Sequence, residues 1–280
     1  MTSDFADLPG LRMHYLGEGA GPAVFLLHGW PHTSQAWRHV MPRLANRFRV
    51  IAPDLRGLGD TSRPKDGYDV GTLAGDILGL ANQLEIDRFS IVGHDWGGPV
   101  AFAAAVTDRR RVERVGIVDV VIPGDGRLAG GAQGGARWHH IFHRTPNLPE
   151  ALTEGREGIY LRWFYDEYSS TAGAVSPEAF DAYVQAYSQP GAMTCGFNYY
   201  RYAEKHAAYI AAALAKDGKL DCPVLGVAGG SGRGRGDETR ESLELVAVNP
   251  VCHVITRSGH LVPEEAPEEL SELLINFLTA

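Results

Sequence analysis

The sequence predicts an α/β fold: a mostly parallel, doubly wound sheet with a helical cap inserted into it. Three observations carry this. From Val24 to Asp119, short continuous apolar runs alternate with helical patterns, as in parallel strands covered on both faces. From Arg137 to about Lys216 the alternation stops, and the chain becomes aromatic-rich and helical with no strand-like run. At Cys222 the alternation resumes and leads to a last amphipathic helix. A chain of 280 residues is long enough for such a core plus an insertion. The expected division is core over 1–122, cap over 123–216 and core again over 217–280.

In chain order, Leu11 to Leu16 alternates and reads as an edge strand, and Gly17 to Pro22 as a turn. Val24-Phe25-Leu26-Leu27 is a buried strand ending in His28-Gly29-Trp30-Pro31. Thr33 or Ser34 can cap the next helix, whose apolar members include Trp37, Val40, Met41 and Leu44. Phe48 to Ala52 is the next strand, and Asp54 to Ser62 a glycine-rich loop. A helix follows around Val70 to Leu84. Phe89 to Val92 is a strand that runs through Gly93-His94-Asp95-Trp96-Gly97-Gly98 into a helix from Val100, and Val115 to Asp119 is a further strand. PGDGRLAGGAQGG over 123–135 reads as a hinge or loop. After the cap come a strand at Cys222 to Ala228, a glycine-rich loop at Gly229 to Gly236, a strand at Val251 to Ile255, and a helix opening near Pro267. Leu270, Leu273, Leu274, Phe277 and Leu278 form the core-facing stripe of that helix.

The net charge of −8 argues against nucleic acid or an anionic membrane as partner. Cys195, Cys222 and Cys252 are unevenly spaced and form no C-x-x-C, which fits neither a disulfide framework nor a zinc site. No apolar run approaches a membrane span, and MTSDFADLPG carries no secretory pattern. A cytoplasmic protein is expected. The oligomeric state stays open, a homodimer among the options.

The turn around Asp95 carries the chemistry. A strand turning sharply into a helix needs small residues where the backbones approach, and Gly93, Gly97 and Gly98 supply them. The apex residue is exposed at a helix N-terminus, which favours an ionised carboxylate. A carboxylate can displace a leaving group at an sp3 carbon and become an ester of the enzyme. Hydrolysing that ester requires a general base and an oxyanion hole. His260, in the loop after the last strand, is the expected base.

HGWP at 28–31, DLRGLGDTS at 54–62, GHDWGG at 93–98 and SGH at 258–260 resemble the α/β-hydrolase fold family. Within it they resemble the aspartate-nucleophile branch of epoxide hydrolases, haloalkane dehalogenases and fluoroacetate dehalogenases. The resemblance spans the whole chain, and it implies an acid that orients His260, after either the strand following the elbow or the next-to-last strand. Asp119 ends the first of these and is favoured; Asp237, nine residues beyond Ala228, is the alternative. The oxyanion hole is expected from the backbone N–H groups of Trp30 and Trp96. His28 and His94 are read as structural. Asn198-Tyr199-Tyr200-Arg201 resembles the cap motif in which the tyrosine before the arginine is the ring-opening acid, which points to Tyr200. Trp138-His139-His140 falls where relatives place a histidine donor or a halide-binding His-Trp pair; His139 matches the histidine, and His140 stands in the tryptophan place. Trp96 and His140 are the expected substrate contacts.

Departures from the resemblance bear on the choice of reaction. Trp30 occupies the place where haloalkane dehalogenases carry asparagine, and Trp96 and Pro99 occupy the places of the arginines that anchor a carboxylate in fluoroacetate dehalogenases. The combination implies hydrolysis of a small-molecule epoxide to a vicinal diol, with neither metal nor organic cofactor. The alternatives are a dehalogenase acting on an organohalide with the same triad and, outside enzymes, a hydrolase-fold binding protein.

Overall fold

A computed structural model describes residues 1–127 and 137–280; most of the expected glycine-rich hinge lies outside them. Among the described residues, eight strands form one sheet. In chain order these are β1 (Thr2–Leu8), β2 (Leu11–Glu18), β3 (Ala23–Leu27), β4 (Arg49–Pro53), β5 (Phe89–His94), β6 (Val112–Val118), β7 (Val224–Gly229) and β8 (Val251–Ile255). The spatial order is β1-β2-β4-β3-β5-β6-β7-β8. β1 and β2 are antiparallel to their neighbours, and β4 through β8 run parallel.

The helices before the elbow are α1 (Met41–Leu44) and α2 (Val70–Gln83), and α3 (Gly97–Thr107) leaves the elbow itself. Between β6 and β7 lie α4 (His139–Arg144), α5 (Leu148–Thr153), α6 (Glu157–Tyr168), α7 (Pro177–Tyr187), α8 (Ala192–Arg201) and α9 (Ala203–Asp217). The last three are α10 (Asp237–Val246), α11 (Val262–Glu265) and α12 (Pro267–Thr279). α1 and α12 cover one face of the sheet with Met41, Leu44, Leu270 and Leu274. α2 and α3 cover the other, and their core runs on without a break into Leu161, Phe164, Tyr183 and Phe197 of the inserted helices.

The sheet register explains where chemistry collects. Leu27 pairs with Gly93, His94 with Val118, Val118 with Val227, and Gly229 with Ile255. The carboxyl ends of β3, β5, β6, β7 and β8 therefore lie along one rim, where parallel sheets bind their ligands. The loops leaving that rim carry Trp30, Asp95, Asp119, Arg235 and His260.

Two local readings are corrected. The edge strand is β1, and Leu11 to Leu16 lies one place inside it. β1 shows little apolar alternation, because only Ala6 of its seven residues is buried and its order comes from pairing with β2. The helix expected after Thr33 is a single 3-10 turn, Ser34–Trp37, capped by Thr33, with α1 beginning separately near Pro42. α10, left unassigned by sequence reasoning, opens directly after Gly236 of the β7 loop.

At the elbow, Asp95 has a φ of 50°. A Cβ added at Gly93 would strike the Gly97 carbonyl oxygen, which is backbone and cannot swing aside. Gly93→Ala is expected to destabilise the fold by on the order of 3 kcal/mol, read from a lowered urea midpoint with an unchanged slope.

Candidate active site

The strand-to-helix turn lifts Asp95 above the sheet. Its Oδ1 accepts the Trp30 backbone N–H at 2.9 Å, and its Oδ2 lies 3.4 Å from His260 Nε2. Gly29 makes room for this, since a Cβ there would overlap Asp95 Oδ1. On the far side of the imidazole, His260 Nδ1 sits 2.6 Å from Asp119 Oδ2. The other Asp119 oxygen accepts backbone N–H groups from Gly229 and Arg235, both at 2.8 Å. Asp119 is completely buried, so this satisfaction of both oxygens is what lets a carboxylate stay there. Asp237 is exposed at the start of α10 and pairs with Arg240 at 2.7 Å, away from His260. Asp95, His260 and Asp119 are thus brought together in one line, and Asp237 is not part of it.

The base is held by its backbone as well. The His260 N–H donates to the Tyr168 carbonyl at 2.9 Å, and the His260 carbonyl lies 2.7 Å from His94 Nε2, which donates to it. Burial pushes His94 down to about 4, so it is neutral. His28 accepts the Leu55 N–H at 3.1 Å and braces the loop after β4. Both histidines are structural.

Charges in the line reinforce one another. Burial alone would raise the Asp95 carboxyl, but the hydrogen bond and charge of His260 and the Trp96 backbone N–H hold it well below the usual carboxylate range. Burial alone would lower the His260 imidazole, but its hydrogen bonds and charge interactions with Asp119 and Asp95 raise it. Asp95 and His260 thus each favour the charged form of the other. The Trp30 N–H donates to Asp95 Oδ1, as one donor of an oxyanion hole would, and the Trp96 backbone N–H also lowers the Asp95 carboxyl.

A cavity opens above Asp95 and His260, between the sheet rim and the inserted helices. Tyr200 of α8 lines it and is buried. Burial, with the Asp95 charge adding to it, raises the Tyr200 phenol well above its ordinary value. Arg201 secures this end of α8 by a two-point pair with Glu150 at 2.7 and 2.9 Å. His139 and His140 both line the cavity. Burial, with His140 and His143 beside it, drives His139 far below the ordinary imidazole range, so it carries no charge at neutral pH. Its Nδ1 lies 3.2 Å from the Tyr168 hydroxyl. His140 stands with its ring 5.2 Å from that of Tyr200, and burial together with Arg235 and Arg137 lowers it to about 3. Trp96 and Pro99 also line the cavity.

Three polar lining residues escaped sequence reasoning: Tyr168, Arg137 and Arg235. Tyr168 is one aromatic among many in the inserted helices. Arg235 lies in a glycine-rich loop, GGSGRGRGD, whose only legible feature was flexibility. Its place after β7, whose end grips Asp119, was the available signal.

Among the described residues, His14, Asp54 and Asp60 are the group close enough to share a metal ion. The Asp54 oxygens already accept the backbone N–H groups of Ser34 and Asp60 and face His14 at 2.7 Å, which is the pattern of a loop brace. No helix among the described residues is long and apolar enough to cross a membrane.

Comparison with known proteins agrees with the geometry. Residues 22–278 match the model of the alpha/beta hydrolase fold. A soluble epoxide hydrolase from a Corynebacterium species is 36% identical over 99% of this chain and 97% of its own length. The crystal structure of Cfl2 from Burkholderia cenocepacia superposes with a TM-score of 0.92 at 35% identity, covering 98% of this chain and 95% of that one. The epoxide hydrolase CorEH superposes with a TM-score of 0.90, also at 35% identity, over 99% of this chain and 98% of that one. A parallel sheet whose rim aligns an elbow aspartate, a buried acid and a histidine, shared in fold and length with these proteins, places the chain in the α/β-hydrolase fold family, in its epoxide hydrolase-like branch.

Proposed function

We propose that the protein hydrolyses an epoxide to a vicinal diol through a covalent ester on Asp95. The observation that carries this is the division of labour between the two Asp95 oxygens: Oδ1 rests on the Trp30 N–H, and Oδ2 faces His260. Oδ2 attacks an epoxide carbon, the C–O bond of the ring breaks, and the oxygen leaves as an alkoxide that takes the Tyr200 proton. A phenol kept protonated by burial and by the Asp95 charge is suited to that role. His139, uncharged, steadies the Tyr168 phenol over the same cavity. His260, oriented by Asp119, then removes a proton from water, and the hydroxide adds to the Asp95 carboxyl carbon. The negative charge develops on Oδ1, between the Trp30 and Trp96 N–H groups. On collapse the bond from the Asp95 carboxyl carbon to the ester oxygen breaks, and that oxygen takes the His260 proton to complete the diol. The remaining carboxyl proton returns to the Tyr200 phenolate through solvent, restoring Asp95 with one oxygen from solvent. Residues 123–216 act as the cap over a core of 1–122 and 217–280. Three free cysteines accord with a cytoplasmic setting.

Alkylation also readies the base. Asp95 is one of the two carboxylates that raise His260, and its charge disappears when the ester forms. The imidazole pKa therefore falls at the step where a neutral base is first needed. The His260 ring is expected to titrate above the ordinary imidazole range in the resting enzyme and distinctly lower in Asp95→Asn, by NMR of its carbon-bound protons. An unchanged titration would remove Asp95 from that balance.

A second reading, hydrolysis of an organohalide by the same ester, is favoured by one observation. The Trp96 indole Nε1 is buried in the cavity wall without a hydrogen-bond acceptor, as a halide site requires. One preparation offered styrene oxide, a haloalkane and fluoroacetate decides between them. Diol from the epoxide supports the proposal; halide or fluoride without diol overturns it. Tyr200→Phe sharpens the result. It is expected to lower kcat on the epoxide by about 100-fold and to leave a halide, which needs no proton, far less affected.

A further inference from the structure

The cavity has a positive wall that neither the nucleophile nor the base requires. Arg137, just before α4, and Arg235, in the loop after β7, both line it. Arg235 is 7% exposed; its Nη1 pairs with Glu238 at 3.0 Å, while its Nε is buried with no acceptor. Arg137 donates from Nη2 to the Arg233 carbonyl at 3.1 Å, and its guanidinium stands 5.5 Å from the centre of the Tyr168 ring. Among the described residues, the hydrogen-bond partners of Asp95 and Asp119 are backbone N–H groups and His260, and neither guanidinium is one of them. The two cations are near enough that, after burial, Arg235 is the main influence lowering Arg137. Arg235 is buried and Arg137 half-buried, and two like charges on one cavity wall, one with an unused donor, favour an anion between them.

We propose that Arg137 and Arg235 form an anion subsite, and that the substrate is an epoxide carrying a carboxylate. The proposal rests on the epoxide reading of the same cavity. Planar guanidinium forks match a carboxylate in shape and donor direction. An anionic substrate would otherwise be repelled by the ionised Asp95, and a positive wall offset from the nucleophile cancels that repulsion while fixing which end of the molecule meets Oδ2. The arginines that hold a carboxylate in fluoroacetate dehalogenases are absent beside Asp95, and here the same chemistry is supplied from two other loops.

The test pairs a homologous series of terminal epoxides ending in a carboxylate with the primary amide of each. For the best chain length, kcat/KM for the acid is expected to exceed that for its amide by at least about tenfold, a ratio worth about 1.4 kcal/mol. Arg235→Gln and, separately, Arg137→Gln should each reduce that ratio by about tenfold, with partial recovery in the lysine variants. Arg235 reaches Asp119 through its backbone N–H, so the side-chain change leaves that hydrogen bond available. Titration with phenylacetate and phenylacetamide, which needs no turnover, is expected to show binding of the anion alone, weakened in both variants. Amides turned over as well as acids would overturn the anion subsite and leave the epoxide reading standing. No diol from any epoxide, with phenylacetate still bound through the arginines, would overturn the epoxide reading and keep the subsite. Phenylacetate binding unaffected by both substitutions would overturn the subsite outright.

Discussion

In Asp95→Asn, diol formation is expected to fall on the order of 10^4-fold or more, with the fold intact. The substitution removes the attacking oxygen's charge, and with it that charge's influence on His260, while leaving the elbow backbone in place. Asparagine tolerates a φ of 50° better than most residues, and its side-chain carbonyl can still accept the Trp30 N–H. A loss of activity therefore reports on chemistry, provided that the circular dichroism and urea midpoint stay near those of the parent. A single turnover of the parent enzyme in heavy-isotope water gives the complementary result. The Asp95 peptide gains one solvent oxygen, and the first diol released carries the oxygen that Asp95 gave up. Diol that takes its oxygen directly from solvent, with an unlabelled peptide, would sink the ester mechanism.

His260→Gln is expected to behave differently and almost as severely. The ester still forms, because Asp95 is held by the Trp30 N–H and proton donation comes from Tyr200, but its hydrolysis lacks a base. Turnover should fall about 10^3-fold, and intact-protein mass spectrometry should show one equivalent of substrate attached to the enzyme. A variant that is inactive and never accumulates the adduct would place His260 in ring opening instead. Asp119 enters through the same experiment: it touches His260 at 2.6 Å and lies on the far side from Asp95, so it positions the base.

The elements that sequence reasoning read well are those where one physical demand dominates. β3, β5 and β7 are buried along their whole length, as is β6 from Val115 onward, and these stretches are mostly apolar. The elbow was legible because backbone closeness at Gly93 and Gly97 leaves no room for a Cβ. Asp119 and Asp237 were harder to separate, since the sequence places each after a strand, and only the register β6 to β7 to β8 brings Asp119 under His260. Arg137 and Arg235 were invisible for another reason: each belongs to a different loop, and glycine-rich surroundings carry no periodicity that tells which way a side chain turns. β1 was missed because its order comes from a partner strand rather than from its own pattern.

The inserted helices touch the core loops through tyrosines. Tyr165 donates to the Pro31 carbonyl at 2.5 Å, Tyr187 to that of His32 at 3.0 Å, and Tyr199 to that of Arg56 at 2.9 Å. In the other direction, the Tyr168 carbonyl receives the His260 N–H. The helices and the catalytic loops thus share buried polar groups that each leaves unsatisfied without the other. For an engineer, this makes the inserted helices a poor interchangeable part. A chimera that grafted a relative's helices onto this sheet would strand carbonyls at Pro31, His32 and Arg56 beside the nucleophile and loosen the base, unless the matching loops travelled with the graft.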